Sequence, residues 1–138
     1  MCGPDNSTRP RVGALAALRS APGIMDCTEC DLIFYTPGSP CSLTATHLRM
    51  ESKNLRSEKD IRVIIHETGE LHKTVDQCGL LVDYSLGKQH TSTQDDASEF
   101  VLPQPCSLAI GGQGIIGRRV SLMLNDCPVA EGIIGVNC

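Results

Sequence analysis

Tryptophan is absent, and only two Phe and two Tyr occur in 138 residues. A chain so poor in rings offers no stacking platform for single-stranded bases. No apolar run approaches the ~20 residues of a spanning helix, so no membrane crossing is expected. Positive charge is not in surplus either. Twelve Lys and Arg stand against sixteen Asp and Glu, a formal charge of −4, with no block of like charge. Nucleic acid is therefore not an expected partner, because affinity for a phosphate backbone is built from clustered cations. What remains is an ordinary globular composition, 41% apolar and 20% charged, in a length that suits one domain with one core.

Cysteine is abundant, with eight residues. That count suggests a secreted disulfide scaffold. A secreted chain should carry an apolar signal segment, and the one candidate is Val12 to Leu18. It is short, follows Asp5 and lies among Arg9, Arg11 and Arg19, which argues against a signal. The sequon Asn6-Ser7-Thr8 has meaning only in a secreted chain. In a cytosolic chain most of the eight thiols are free and behave as small buried hydrophobes.

Residues 1–23 read as a flexible N-terminal extension, punctuated by Pro4, Pro10, Pro22 and Gly23, with an Ala/Leu patch suited to two helical turns. Residues 24–138 read as the folded domain. Strands are expected at Asp31 to Tyr35, Leu43 to Met50, Ile61 to His66, Leu80 to Tyr84, Glu99 to Leu102, Ser107 to Ile110, Arg118 to Leu124 and Val129 to Val136. Glu51 to Lys59 reads as a connection. Many short strands without a long helical period predict an all-β antiparallel sandwich or barrel. Alternation assigns faces. Ile61, Val63 and Ile65 point to the core, with Arg62, Ile64 and His66 opposite. Val120, Leu122 and Leu124 point to the core, with Arg119, Ser121 and Met123 opposite.

The chemical motifs are sparse. Cys27-Thr28-Glu29-Cys30 lacks the second pair a zinc site needs, and a strand follows it where a redox motif needs a helix. His66 and His72 are six apart, which is no helical pair, and His47 and His90 stand alone. Gly111-Gly112-Gln113-Gly114 precedes strand-like sequence and reads as a turn, since a phosphate loop would need a Lys-Ser/Thr and a helix.

Taken together, the stretches from Ile61 onward resemble Cu/Zn superoxide dismutase. Val63-Ile64-Ile65-His66-Glu67-Thr68-Gly69-Glu70 is similar to that family's F-H-V-H-E-F-G-D strand and turn. Cys78-Gly79 sits where the family has its loop cysteine, and Leu86-Gly87 resembles its D-L-G-N turn. Ser107 to Met123 resembles I-S-L-S-G…I-I-G-R…V-V-H, and Ala130-Glu131-Gly132-Ile133-Ile134-Gly135 resembles A-C-G-V-I-G. The resemblance runs over about residues 27–137, loosely in the first strands, and implies a Greek-key β-barrel with a shortened metal-binding loop.

The same resemblance implies that the metal sites are gone. Of the family's copper ligands only His66 is kept, because Ile64 and Met123 occupy two of the other positions and the bridging His has no counterpart. The last zinc ligands fall near Val82 and Ser85. The active-site Arg falls on Pro128, and the second disulfide cysteine on Glu131. Cys78 thus lacks its usual partner, and Cys127 is a candidate substitute. One imidazole beside a thioether does not make a copper site. No cofactor and no dismutase activity are expected.

Retained instead are the segments through which the family dimerises, Ile115-Ile116-Gly117 and Ile133-Ile134, although Ile115, Ile133 and Ile134 also suit a core. The group most resembled is the degenerate dismutase-like proteins of poxviruses. That implies a non-enzymatic protein of the virion or host cytoplasm, pairing with itself, with a dismutase or with the dismutase copper chaperone. Two other readings compete. One is a residual copper-binding protein using His66, His72, His47, Met123 and thiols. The other is a secreted, disulfide-stapled β-sandwich binding domain.

Overall fold

The computed structural model describes residues 13–20, 29–39, 42–52, 60–69, 79–88, 97–125 and 127–136. These carry nine strands: β1 (Ala14–Ser20), β2 (Cys30–Tyr35), β3 (Thr44–Ser52), β4 (Asp60–Ile65), β5 (Val82–Lys88), β6 (Ala97–Ile110), β7 (Gly114–Ile116), β8 (Arg119–Leu124) and β9 (Cys127–Val136). The all-β expectation holds. One mixed sheet runs in the order β5-β4-β8-β9-β1-β2-β3-β6-β7. Every pairing is antiparallel except the short parallel one between β6 and β7. Three non-consecutive pairings set this order: β6 lies beside β3, β8 beside β4 and β9 beside β1. No helix among the described residues is long and apolar enough to cross a membrane.

The alternation in β4 and β8 places its residues as expected. Ile61, Val63, Ile65, Val120, Leu122 and Leu124 are all buried in one cluster with Leu18, Leu32, Phe34, Leu48, Met50, Ile115 and Ile134. β-Branched side chains suit the pleat here, since each packs against a cross-strand neighbour on the inward face.

The expected extension over 1–23 needs correction. Residues 14–20 are no helical patch in a tail; they form β1, laddered to β2 on one side and β9 on the other. Ala14, Ala16 and Leu18 point inward and are 0–2% exposed. Ala and Leu favour helices only weakly, and a strand paired on both edges overrides that preference. Small inward residues also suit a central strand facing a crowded core. Gly13 opens β1 at φ +113°, where an added Cβ would lie 2.1 Å from the Phe34 carbonyl oxygen, so only glycine fits.

Two other expectations shift. Glu99 to Leu102 and Ser107 to Ile110 belong to one strand, β6, which carries Pro103 and Pro105 between them. The β3 ladder jumps from Ala45↔Cys106 to His47↔Val101, so the prolines sit in a bulge where a missing N–H costs no ladder bond. β5 begins at Val82 and continues through Leu86 and Gly87, which therefore lie in a strand and not a turn. A register shift between Ile61 and Arg62 absorbs the extra residue.

Candidate functional site

His66 follows β4 directly. Its backbone N–H donates to the Arg119 carbonyl at 2.8 Å, fixing it beside β8. Its ring is 1% exposed. Nδ1 lies 2.9 Å from the Gly79 carbonyl oxygen, and Nε2 lies 2.9 Å from Ser121 Oγ. A carbonyl only accepts, so Nδ1 carries the proton. In the neutral ring Nε2 then presents a lone pair, and the Ser121 hydroxyl donates to it. The nitrogen that would bind a metal is already spoken for by the protein.

Ser121 is 0% exposed and sits opposite Ile64 on β4 and Glu131 on β9. A serine and a histidine at 2.9 Å are within the reach of a nucleophile and its base. Both are buried, 1% and 0% exposed, and form a polar contact inside the fold. Next to it, Arg119 Nη2 pairs with Glu131 Oε2, with side chains only 4% and 15% exposed. Glu131 stands where the resemblance expects the second disulfide cysteine. A buried charge requires a partner, and this pair supplies one.

Arg118, the neighbour of Arg119 in sequence, points the other way. Its Nε donates to the Gly114 carbonyl and its Nη1 to the Glu67 carbonyl, both at 2.6 Å, and its Nη2 donates to the Gly112 carbonyl. One guanidinium thus staples the glycine turn to the turn after His66. Gly111 and Gly112 adopt φ +81° and +55°, and Gly114 N–H donates to Gly111 O at 2.9 Å. The glycine-rich stretch is a turn, as the sequence suggests. Ser121, Arg119, Glu131 and Arg118 were not anticipated as a set. Parity places Arg119 and Ser121 beside His66, but parity does not tell whether a face is covered.

Among the positions that the resemblance aligns with metal ligands, Ile64 and Met123 are half-buried on the same outer face as His66, Val82 packs against the core and Ser85 is exposed. Pro128 is exposed on β9. His47 belongs elsewhere, beside Tyr35 on the outer face of β2 and β3, with ring centroids 5.8 Å apart. The structure therefore does not bring His66, His47 and Met123 together. Among the described residues no three His, Cys, Asp or Glu side chains cluster closely enough to hold a metal ion. His72, His90, Cys27 and Cys78 lie outside the described residues, as does the sequon. At the positions aligned with copper ligands stand a tied imidazole, an aliphatic chain and a thioether.

Of the pairing candidates, Ile115 and Ile134 are core residues, 0% and 1% exposed. Ile116 and Ile133 are half-buried and Gly117 is exposed. Gly117 N–H donates to the Ile134 carbonyl at 2.7 Å, so the two segments lie side by side. Val136, 65% exposed, ends the same strand.

The thiols differ by place. Cys30, first in β2, faces the core, and burial, helped by the charges of Asp31 and Glu51, pushes it up to about 12. Burial pushes Cys106 up to about 11. Cys127 is exposed at the start of β9 and has no disulfide partner among the described residues. A thiol held that far above neutrality is unreactive in its closed setting.

No family model, no curated protein and no solved structure matches this chain.

Proposed function

We propose that the chain is a non-enzymatic, Cu/Zn superoxide dismutase-like Greek-key barrel that works through protein contacts. The observation that carries this reading is the state of His66. The residue aligned with a copper ligand is buried and has both ring nitrogens engaged, to Gly79 O and Ser121 Oγ. Strand order supports the scaffold. Read as a ring it runs β1-β2-β3-β6, across a seam to β5, then β4-β8-β9 and back to β1, with β7 as a short addition. That is the sequence of neighbours expected of two interlocked Greek keys. On this reading the contact surface is built on Ile116, Gly117 and Ile133, and its partner is a second copy, a dismutase or the dismutase copper chaperone. The setting is a virion or a host cytoplasm.

The competing readings fare less well on geometry. The residual copper site called on His66, His72, His47, Met123 and thiols; His72 lies outside the described residues, and His47 is on β3, which is not paired with β4, the strand that His66 follows. A scaffold with all eight cysteines bridged conflicts with Cys30 and Cys106, two buried thiols without a disulfide.

The test uses the full chain from cells supplied with copper and zinc. Metal content, dismutation and mass by light scattering are measured, alone and with added Cu/Zn dismutase. The expected result is no dismutation, no metal that His66→Ala removes, and a two-subunit mass that Gly117→Arg abolishes. One equivalent of copper lost on His66→Ala, with dismutation, would overturn the reading. A monomer under every condition would sink its contact half.

A further inference from the structure

Cys30 and Cys106 are buried alike, 2% and 5% exposed, but the backbone around them differs. Cys30 is laddered on both sides, opposite Leu18 of β1 and Ser52 of β3. Cys106, paired with Ala45 of β3, directly follows a segment that is laddered on neither side. Toward β3, the register jump between Ala45 and His47 leaves Leu102–Pro105 without partners. Toward β5, no backbone ladder joins β5 to β6 among the described residues. Pro103 and Pro105 have no N–H with which to form one.

Side chains close this seam. Tyr84 is 3% exposed and reaches from β5 across to β6. Its hydroxyl donates to the Gln104 carbonyl at 3.1 Å. Segments that lack backbone pairing open at lower free energy than the sheet as a whole.

We infer that Leu102–Pro105 is a movable wall of the barrel, latched by the Tyr84 hydroxyl, whose opening uncovers the Cys106 thiol while the rest of the sheet stays folded. Closed, the thiol is shielded. Open, it regains the reactivity of a free cysteine and is available to a soft electrophile. Cys30 has no such wall and is reached only by global unfolding.

The experiment is alkylation of the native full chain by iodoacetamide, followed residue by residue by mass spectrometry in rising urea. The thiolate sulfur displaces iodide and forms a thioether, so each labelling event is one exposure. Cys106 is expected to react about ten-fold or more faster than Cys30, at a rate nearly independent of low urea, as a local opening requires. Cys30 should follow the steep urea dependence of global unfolding. Tyr84→Phe removes the latch bond and should speed Cys106 about five-fold beyond any change at Cys30. Equal rates with equal urea dependence at the two thiols would overturn the inference, as would a Tyr84→Phe variant that accelerates both alike. If that variant does not fold, the two-thiol comparison in the unaltered chain decides alone.

Discussion

Two polar networks lie on outer faces of the same sheet, and water reaches them unequally. One joins His66, Ser121, Arg119 and Glu131 across β4, β8 and β9, where the Arg119 and Glu131 side chains are 4% and 15% exposed. The other joins Tyr35, Arg49, Glu51 and Glu99 across β2, β3 and β6. There Arg49 bonds Glu51 at 3.0 Å and Glu99 at 3.3 Å, Tyr35 donates to Glu99 at 3.0 Å, and Glu99 is 54% exposed. The bond types are much the same in both. In the closed network the groups have given up most of their water, so protein partners supply most of the compensation. In the open network water and salt replace whatever a substitution removes. The closed network is a buried polar cluster, and the open one is a solvated surface.

This contrast is broken or sharpened by graded substitutions. The largest effect is expected from Glu131→Ala, which removes the carboxylate paired with the buried Arg119 guanidinium. Urea unfolding should show a loss of about 3–5 kcal/mol. Glu99→Ala in the open network should cost under about 1 kcal/mol. Equal losses would erase the distinction. Next comes Ser121→Ala, which leaves His66 Nε2 buried without its donor and should cost about 1–3 kcal/mol in the same measurement. A smaller effect belongs to Tyr35. Burial first, and its bond to Glu99 second, push the phenol up to about 12 from 10.0. The folded state thus favours the protonated form. Its contribution is complete below pH 10 and is lost as pH rises toward 12. Urea midpoints should fall across that window, and Tyr35→Phe should remove part of the fall. The smallest effect lies on the acid side. Arg62 Nε donates to Asp83 at 2.7 Å, and that bond holds the carboxyl below its usual range. A depressed carboxyl stabilises above its ordinary pKa and loses that contribution as pH drops below it. Because Arg62 is 39% exposed, Asp83→Asn should flatten the acid limb only slightly.

The outline of the fold was legible where alternation is clean. β4 and β8 were placed with the correct faces because their buried apolar residues recur at period two. β1 was not legible. Its Ala and Leu residues carry weak preferences, and two neighbours made it a strand, β2 and β9, the latter more than a hundred residues away in sequence. β6 was split in two because Pro103 and Pro105 forbid pairing, and a bulge lets the strand continue without it. At the site, parity correctly put His66, Arg119 and Ser121 on one outer face. It gave no sign that these three are buried, because coverage depends on what packs above the sheet. Likewise the motifs left Ile115 and Ile134 open between pairing and core, and the structure buries both. Arg118 and Arg119 show the limit most sharply: adjacent and chemically identical, one staples a turn and the other neutralises a buried glutamate.

The most direct measurement is the nitrogen NMR spectrum of the His66 ring in the full chain, recorded with and without an equivalent of zinc. The account predicts the tautomer protonated at Nδ1, with Nε2 accepting from Ser121, and no change when zinc is added. A ring nitrogen that moves to a metal-bound shift would contradict it.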